Sequence, residues 1–315
     1  MSDLETNPQQ ATENPPEQSL QFAAASQPSY ARTLFLGSDG LRAGWGLALY
    51  VVLFLILQRL MNSLVVDWVR FSPLVNPRII ELLSELASLI AAISPAVVMM
   101  RLEKRPWDCY GLPLRSVWAK LFCTGAIWGF CGITVLIVAL YGIRDFSFGR
   151  LALHGLRIAK YAAYWSVMFL LVGLFEEFLL RGYTQFTLTR GIGFWPSAVA
   201  LSAAFGFGHL FNEGENWPGL LAAACIGLFF CLTLRRTGNL WFAVGFHAAW
   251  DWGETFFYSV PDSGLVAPGH LFSSSRHGSA WLTGGSVGPE GSMLCFVVVA
   301  LTWIVFDRAY PAQNA

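Results

Sequence analysis

The chain has 315 residues, of which 55% are hydrophobic and 13% are charged, and its mean hydropathy is +0.52. Soluble domains carry about 25% charged residues, so this composition indicates a membrane protein. Twenty basic and twenty acidic residues cancel to a net charge of zero. Because the basic footprint of a nucleic-acid-binding protein is absent, we expect no nucleic acid partner.

The first 33 residues are polar, and Pro, Gln and acidic residues precede the first basic residue, Arg32. Such a segment buries too little apolar surface to offset its conformational entropy, so we expect residues 1–33 to be a disordered tail. Its long acidic start is unlike the positively charged start of a secretory signal. Residues 34–315 are predicted to form a single membrane-embedded domain.

Eight apolar runs follow the tail. Backbone polar groups in hydrocarbon must be paired internally, and these runs lack the alternating pattern of barrel strands, so we predict helices. The predicted fold class is all-α, a polytopic bundle of about eight transmembrane helices in the lipid bilayer. The runs are residues 43–64, 79–100, 118–141, 163–186, 194–211, 217–234, 240–258 and 292–306.

Several features of these runs concern packing and orientation. Lys and Arg near the span ends weakly favour cytoplasmic positions for both termini. Arg59, Glu81 and Glu85 are expected to extend towards the membrane interface, as long polar side chains near span ends usually do. Gly125 and Gly129 form a G-x-x-x-G pattern that lets a neighbouring helix approach closely.

The six cysteines have no ligand-like spacing and are expected to be reduced.

A long connection over residues 259–291 is rich in Gly and Ser. Long loops are usually functional or disordered, and the sequence leaves both possibilities open.

The segment VGLFEEFLLRGY places Glu176, Glu177 and Arg181 inside an otherwise apolar run. A charge near the centre of a membrane helix costs about 2.5 to 3.5 kcal/mol, so charged residues there usually mark a functional site. Glu177 and Arg181 are four residues apart and therefore share a helix face, where the guanidinium can hold the carboxylate ionised. Glu176 points about 100° away and is the candidate general base.

Two histidines lie in later runs. His209 in AAFGFGHLF is predicted to lie within an apolar helix, flanked by glycines that allow close approach of another helix or a peptide. His247 and Asp251 in VGFHAAWDW are four residues apart on one helix face. If these helices touch the Glu176 helix, the three form a polar pocket able to activate water, with a carboxylate base, imidazoles and groups facing an oxyanion.

Glu176-Glu177-x-x-x-Arg181, Phe205-x-x-x-His209 and His247-x-x-x-Asp251, in this order on successive helices, resemble the CPBP family of intramembrane proteases. This family, also called ABI, includes type II CAAX prenyl endopeptidases and bacterial relatives linked to bacteriocin processing and self-immunity. The resemblance covers about residues 160–255. It implies an intramembrane endopeptidase with membrane-associated peptide or protein substrates, located in a bacterial inner membrane.

The resemblance also implies roles for the residues. Glu176 would deprotonate the attacking water and His209 would hold that water, with Glu177 and Arg181 as a supporting pair. His247 and residue 251 would stabilise the oxyanion. The family often has Asn at the position of Asp251, and an ionised Asp cannot donate to an oxyanion, so Asp251 is either protonated or turned towards His247.

Three alternatives remain open from the sequence. His209, His247 and a carboxylate from Glu176 or Asp251 would suit a catalytic zinc with an open water position, so a metal-free glutamate mechanism and a zinc mechanism are both possible. A non-catalytic membrane immunity or binding protein could keep the same fold. A proton-coupled transporter also uses membrane Glu, His and Asp, although the chain shows no internal repeat.

Overall fold

The computed structural model describes residues 30–37, 40–72, 74–113, 120–212, 214–264 and 268–312. The predicted tail, residues 1–33, lies outside these ranges except for its last four residues, which begin the first helix. The helices are α1 Tyr30–Phe35, α2 Ala43–Phe71, α3 Pro77–Glu103, α4 Lys120–Gly142, α5 Leu156–Arg181, α6 Tyr183–Ile192, α7 Phe194–Gly208, α8 Trp217–Thr237, α9 Trp241–Trp252, α10 Ala280–Thr283 and α11 Met293–Ala309. The strands are β1 Leu36–Gly37, β2 Gly40–Leu41, β3 Phe146–Ser147 and β4 Ser275–Arg276.

The molecule is an all-α polytopic membrane bundle, as predicted. Each of the eight predicted runs is helical over its described residues, and among these residues six helical segments are long and apolar enough to cross a membrane. The last two predicted spans are shorter. The 12-residue α9 continues into a π-helix, Gly253–Tyr258, and α11 has 17 residues. The six segments are Ala43–Phe71, Pro77–Glu103, Lys120–Gly142, Leu156–Ile192, Phe194–Phe211 and Trp217–Thr237.

Glycines bring α4 and α9 into backbone contact. A Cβ atom on Gly125 would collide with the carbonyl of Phe242, and one on Gly129 would collide with the carbonyl of Phe246. On the α9 side, a Cβ on Gly245 would meet the α4 backbone. The contacts advance together along both helices, so α4 and α9 run parallel. The predicted close approach at the G-x-x-x-G pattern is confirmed.

The connection over residues 259–291 lies across one end of the bundle. Its strand β4 pairs antiparallel with β3, and Phe272 forms a bridge with Leu151. Ser286 Oγ donates to the carbonyl of Gly214, 2.7 Å away, in the segment between α7 and α8. The described part of this connection is therefore attached to the loops that precede α5 and α8, at the same end of the molecule.

Candidate active site

Helix α5 carries a buried ion pair. Arg181 Nη1 lies 3.2 Å from Glu177 Oε1, and both side chains are fully buried. The predicted pairing is confirmed. The guanidinium carbon also lies 4.5 Å from the ring centre of Phe205 and 5.9 Å from that of Phe230. A Cβ on Gly227 would collide with Arg181 Nη2, so a glycine in α8 provides the space for this cation. Pairing and ring contacts offset part of the cost of desolvating two charges.

Glu177 also positions the imidazole of His247. The Glu177 Oε1 atom lies 3.1 Å from His247 Nδ1. Since an ionised carboxylate can only accept, Nδ1 donates this hydrogen bond. The opposite nitrogen, Nε2, lies 3.4 Å from Asp251 Oδ2 and 3.6 Å from Glu176 Oε2. Three carboxylates therefore surround one imidazole, and Asp251 is turned towards His247. This orientation is one of the two alternatives left open by the sequence, the other being a protonated Asp251.

His209 lies in the helical segment Phe194–Phe211, as predicted, but in its final 3-10 turn and not in the α-helix. Helix α7 ends at Gly208, and His209 begins a 3-10 turn that extends to Phe211. The chain must turn here to enter α8. His209 Nδ1 lies 2.9 Å from the carbonyl oxygen of Phe205, which can only accept, so Nδ1 carries the hydrogen and Nε2 is the free acceptor. The ring centre of Phe205 lies 4.8 Å from the His209 ring and 6.2 Å from the His247 ring. One phenyl ring thus contacts both imidazoles.

These side chains surround a cavity of about 720 Å³, a volume typical of small-molecule and peptide sites. Four predicted site residues line it: Glu176, His209, His247 and Asp251. Glu177 and Arg181 lie behind this wall, with 0% and 1% of their surface exposed. The apolar part of the wall includes six aromatic residues: Trp165, Phe169, Phe205, Phe230, Phe246 and Trp250.

Four further carboxylates line the cavity, and sequence reasoning missed them: Glu85, Glu215, Asp262 and Glu290. Glu85 of α3 faces the cavity instead of extending towards the interface, so that expectation is wrong. Asp262 and Glu290 are the two acidic residues of the 259–291 connection. Burial raises the pKa of the Asp262 carboxyl well above its usual range, and the charges of Asp251 and Glu290 add to the effect. One sequence feature could have indicated them: the long Gly- and Ser-rich connection has only two acidic residues.

The predicted zinc ligands do not form a ligand set. Among the described residues, the three metal-ligating side chains whose ligand atoms lie within 4.8 Å of one another are Asp251, Asp262 and Glu290. Among those residues, no set of His209, His247 and either Glu176 or Asp251 meets this limit. Three carboxylates are poor ligands for zinc, which prefers nitrogen and sulfur. The residues present therefore do not fit the catalytic zinc that the sequence left open.

The fold and the cavity define an integral membrane protein with an internal site built from glutamates and histidines. The model of the Rce1-like family, described as type II CAAX prenyl endopeptidase Rce1-like, matches residues 158–253. This segment extends from α5 to the first residue of the π-helix and contains all six predicted site residues. Residues 158–253 are therefore similar to the Rce1-like family, which confirms the resemblance seen in the three sequence blocks. No curated protein and no solved structure matches the chain.

Proposed function

We propose that the protein is an intramembrane endopeptidase of the glutamate type, which hydrolyses peptide bonds of membrane-associated substrates. The observation that carries this proposal is the 3.6 Å distance between Glu176 Oε2 and His247 Nε2, in a cavity wall that also contains His209. A carboxylate and two imidazoles that face one cavity are the groups needed to activate water and stabilise an oxyanion. The match to a family named for endopeptidases supports the same activity.

Glu176 is the proposed general base. Its side chain is 27% exposed, it faces the cavity, and it accepts no hydrogen bond from the described residues. Its oxygens are therefore available to a water molecule. With Nδ1–H of His209 held by Phe205, the His209 Nε2 lone pair accepts one hydrogen of this water while Glu176 removes the other. The water oxygen then attacks the peptide carbonyl carbon.

His247 is the proposed oxyanion donor. Its Nδ1–H is directed to Glu177, and the three surrounding carboxylates stabilise a positive charge on the ring, so Nε2–H is available for the oxyanion. Asp251 acts through His247 and does not itself donate. When the tetrahedral intermediate collapses, the proton taken by Glu176 passes to the leaving amine, and the C–N bond breaks.

The substrate is proposed to be a peptide segment anchored in the membrane, because the cavity lies among membrane helices and has aromatic walls. We place both termini in the cytoplasm of a bacterial cell, on the basis of the Lys and Arg distribution and the resemblance to bacterial proteases. With eight helical passes, the 259–291 connection then lies on the opposite side of the inner membrane.

The proposal is tested with full-length protein in detergent and a membrane-tethered reporter peptide. We expect cleavage by the wild type, and loss of turnover in Glu176→Gln and His209→Ala at unchanged folded yield. Glu81→Gln is the matched control, because it makes the same chemical change in α3 at a residue that accepts a hydrogen bond from Tyr164. Turnover that persists in Glu176→Gln would overturn the assignment of the base. Turnover by protein shown to contain no zinc would support the glutamate type, whereas turnover that requires zinc would contradict it.

A further inference from the structure

We propose that Asp251, Asp262 and Glu290 bind one divalent cation of the calcium and magnesium class. The site shares Asp251 with the proposed peptidase site, whereas Asp262 and Glu290 have no part in the proposed peptidase chemistry. One of its ligands belongs to α9, and the other two belong to the 259–291 connection or its last 3-10 turn, Pro289–Gly291. A bound cation would therefore connect this connection to the helix that carries His247.

The geometry suits a cation with oxygen ligands. The three carboxylates each place an oxygen within 4.8 Å of the others. Calcium–oxygen distances are about 2.3 to 2.6 Å, so three oxygens up to about 4.5 Å apart can share one ion, which is close to this 4.8 Å limit. Carboxylate ligands without nitrogen or sulfur select hard cations such as calcium, magnesium or manganese.

A fourth carboxylate provides an independent observation. Glu254 is fully buried, and its Oε1 atom has no hydrogen-bond partner. Its other oxygen, Oε2, and Glu290 Oε1 both lie 3.0 Å from the same Trp250 Nε1 atom, so the Glu254 carboxylate lies beside that of Glu290. The unpaired Oε1 lies 3.4 Å from the position of a Cβ on Gly288, next to the 3-10 turn that carries Glu290. A buried carboxylate with an unpaired oxygen beside three other acids is costly in its ionised form unless a cation compensates it.

Few cationic side chains oppose these four acids. Within the described ranges, no Lys or Arg nitrogen lies within 4.0 Å of Asp251, Glu254, Asp262 or Glu290. The one basic side chain there within that distance is His247, whose Nε2 lies 3.4 Å from Asp251 Oδ2. Arg276 interacts electrostatically with Glu254, but its Nη1 donates to the carbonyl of Thr283 at 2.8 Å. The acids therefore outnumber the nearby cations, as expected at a site that binds a metal ion.

Two hydroxyl groups orient the loop carboxylates. Thr255 Oγ1 donates to Asp262 Oδ2 at 3.0 Å, and Ser263 Oγ donates to Glu290 Oε2 at 2.9 Å. Each carboxylate therefore has a fixed direction before any ion binds. This arrangement lowers the entropy cost of assembling the ligands.

The experiment measures binding of CaCl₂, MgCl₂ and MnCl₂ to the purified full-length protein after chelation and dialysis, by calorimetry and, for Mn²⁺, by electron paramagnetic resonance. We expect one saturable site per chain and a higher unfolding temperature with the preferred ion. Asp262→Asn and Glu290→Gln should each weaken binding at least tenfold. Glu85→Gln is the matched control, because Glu85 lines the same cavity outside the cluster and its replacement should leave binding unchanged.

Two outcomes would overturn the proposal: no saturable binding of any of the three ions to the wild type, or equal binding by the wild type and both loop variants. The unfolding temperature without added ions shows whether each variant is folded, and the wild-type titration decides the question even where one variant fails to fold. Because cleavage is not measured, a protein that binds the ion without peptidase activity would overturn only the proposed function.

Discussion

Glu177 positions His247 from outside the cavity, through a 3.1 Å contact between its Oε1 atom and the imidazole Nδ1. The same oxygen lies 3.2 Å from Arg181 Nη1. One carboxylate oxygen therefore connects a buried cation to the imidazole that faces the cavity. Because Glu177 does not line the cavity, its proposed role is that of a positioning residue acting through His247.

The buried pair of Glu177 and Arg181 should be strongly coupled in stability. Arg181→Met leaves a carboxylate without its cation, and Glu177→Gln leaves a buried guanidinium without its anion, so each is expected to cost about 3 to 5 kcal/mol. The double variant should cost clearly less than the sum, since it leaves neither charge alone. Unfolding titrations of all four proteins in detergent measure this coupling. Additive free energies would show that the pair does not act as a unit.

The tautomer of His209 leads to a prediction about its replacements. The Gln side chain places an amide group near the position of Nε2, whereas the Asn amide corresponds to Nδ1. If Nε2 holds the water, His209→Gln should retain more turnover than His209→Asn, by about tenfold or more, with both well below the wild type. Rates under single-turnover conditions with the membrane-tethered reporter test this order. The reverse order would assign the water to Nδ1.

The contact between α4 and α9 should be intolerant of a single methyl group. Gly129→Ala places a Cβ against the carbonyl of Phe246, so the helices must separate and His247 must move with α9. We expect a loss of about 1 to 3 kcal/mol in stability together with reduced turnover. Gly142→Ala is the control, because no atom lies within 4 Å of a Cβ at the end of the same helix. Equal behaviour of the two variants would contradict the close contact.

The attachment of the 259–291 connection can be tested at a glycine that precedes α5. Gly149 has φ +65°, and a Cβ there would collide with the carbonyl of Ser273. Gly149→Ala should displace the loop and accelerate its cleavage by an added protease. The control is Gly155→Ala, since Gly155 has a similar φ of +58° but no neighbour within 4 Å of its Cβ. Comparable cleavage rates would show that backbone strain alone, and not the Ser273 contact, determines the effect.

Local spacing was sufficient to predict part of the site. Glu177 with Arg181, and His247 with Asp251, are four residues apart in helices, and a helix places such residues together whatever surrounds it. The three motif blocks together also led us to expect that the helices carrying Glu176 and His247, α5 and α9, lie side by side. The structure adds the distances, of which the contact between Glu177 and His247 could not be derived from either helix alone.

The rest of the site depends on tertiary structure. Hydropathy does not determine the rotation of a helix about its axis, so the sequence did not show that Glu85 faces the cavity. Asp262 and Glu290 meet because the long connection returns across the bundle, and loop paths are poorly encoded by composition. Helix α7 likewise ends at Gly208 because the chain must turn to enter α8. For this reason His209 lies in a 3-10 turn, which its apolar surroundings in the sequence did not indicate.

The parallel packing of α9 on α4 has a consequence for biosynthesis. Glu176 and His209 are inserted into the bilayer early, but they lack their imidazole partner until the segment that carries His247 has been translated and has docked between α4 and α5. If the chain is the endopeptidase proposed above, the nascent chain is inert towards neighbouring proteins at the translocon, and hydrolytic capacity arises only when synthesis is nearly finished. Truncated products that end before α9 should then be harmless to the cell that makes them.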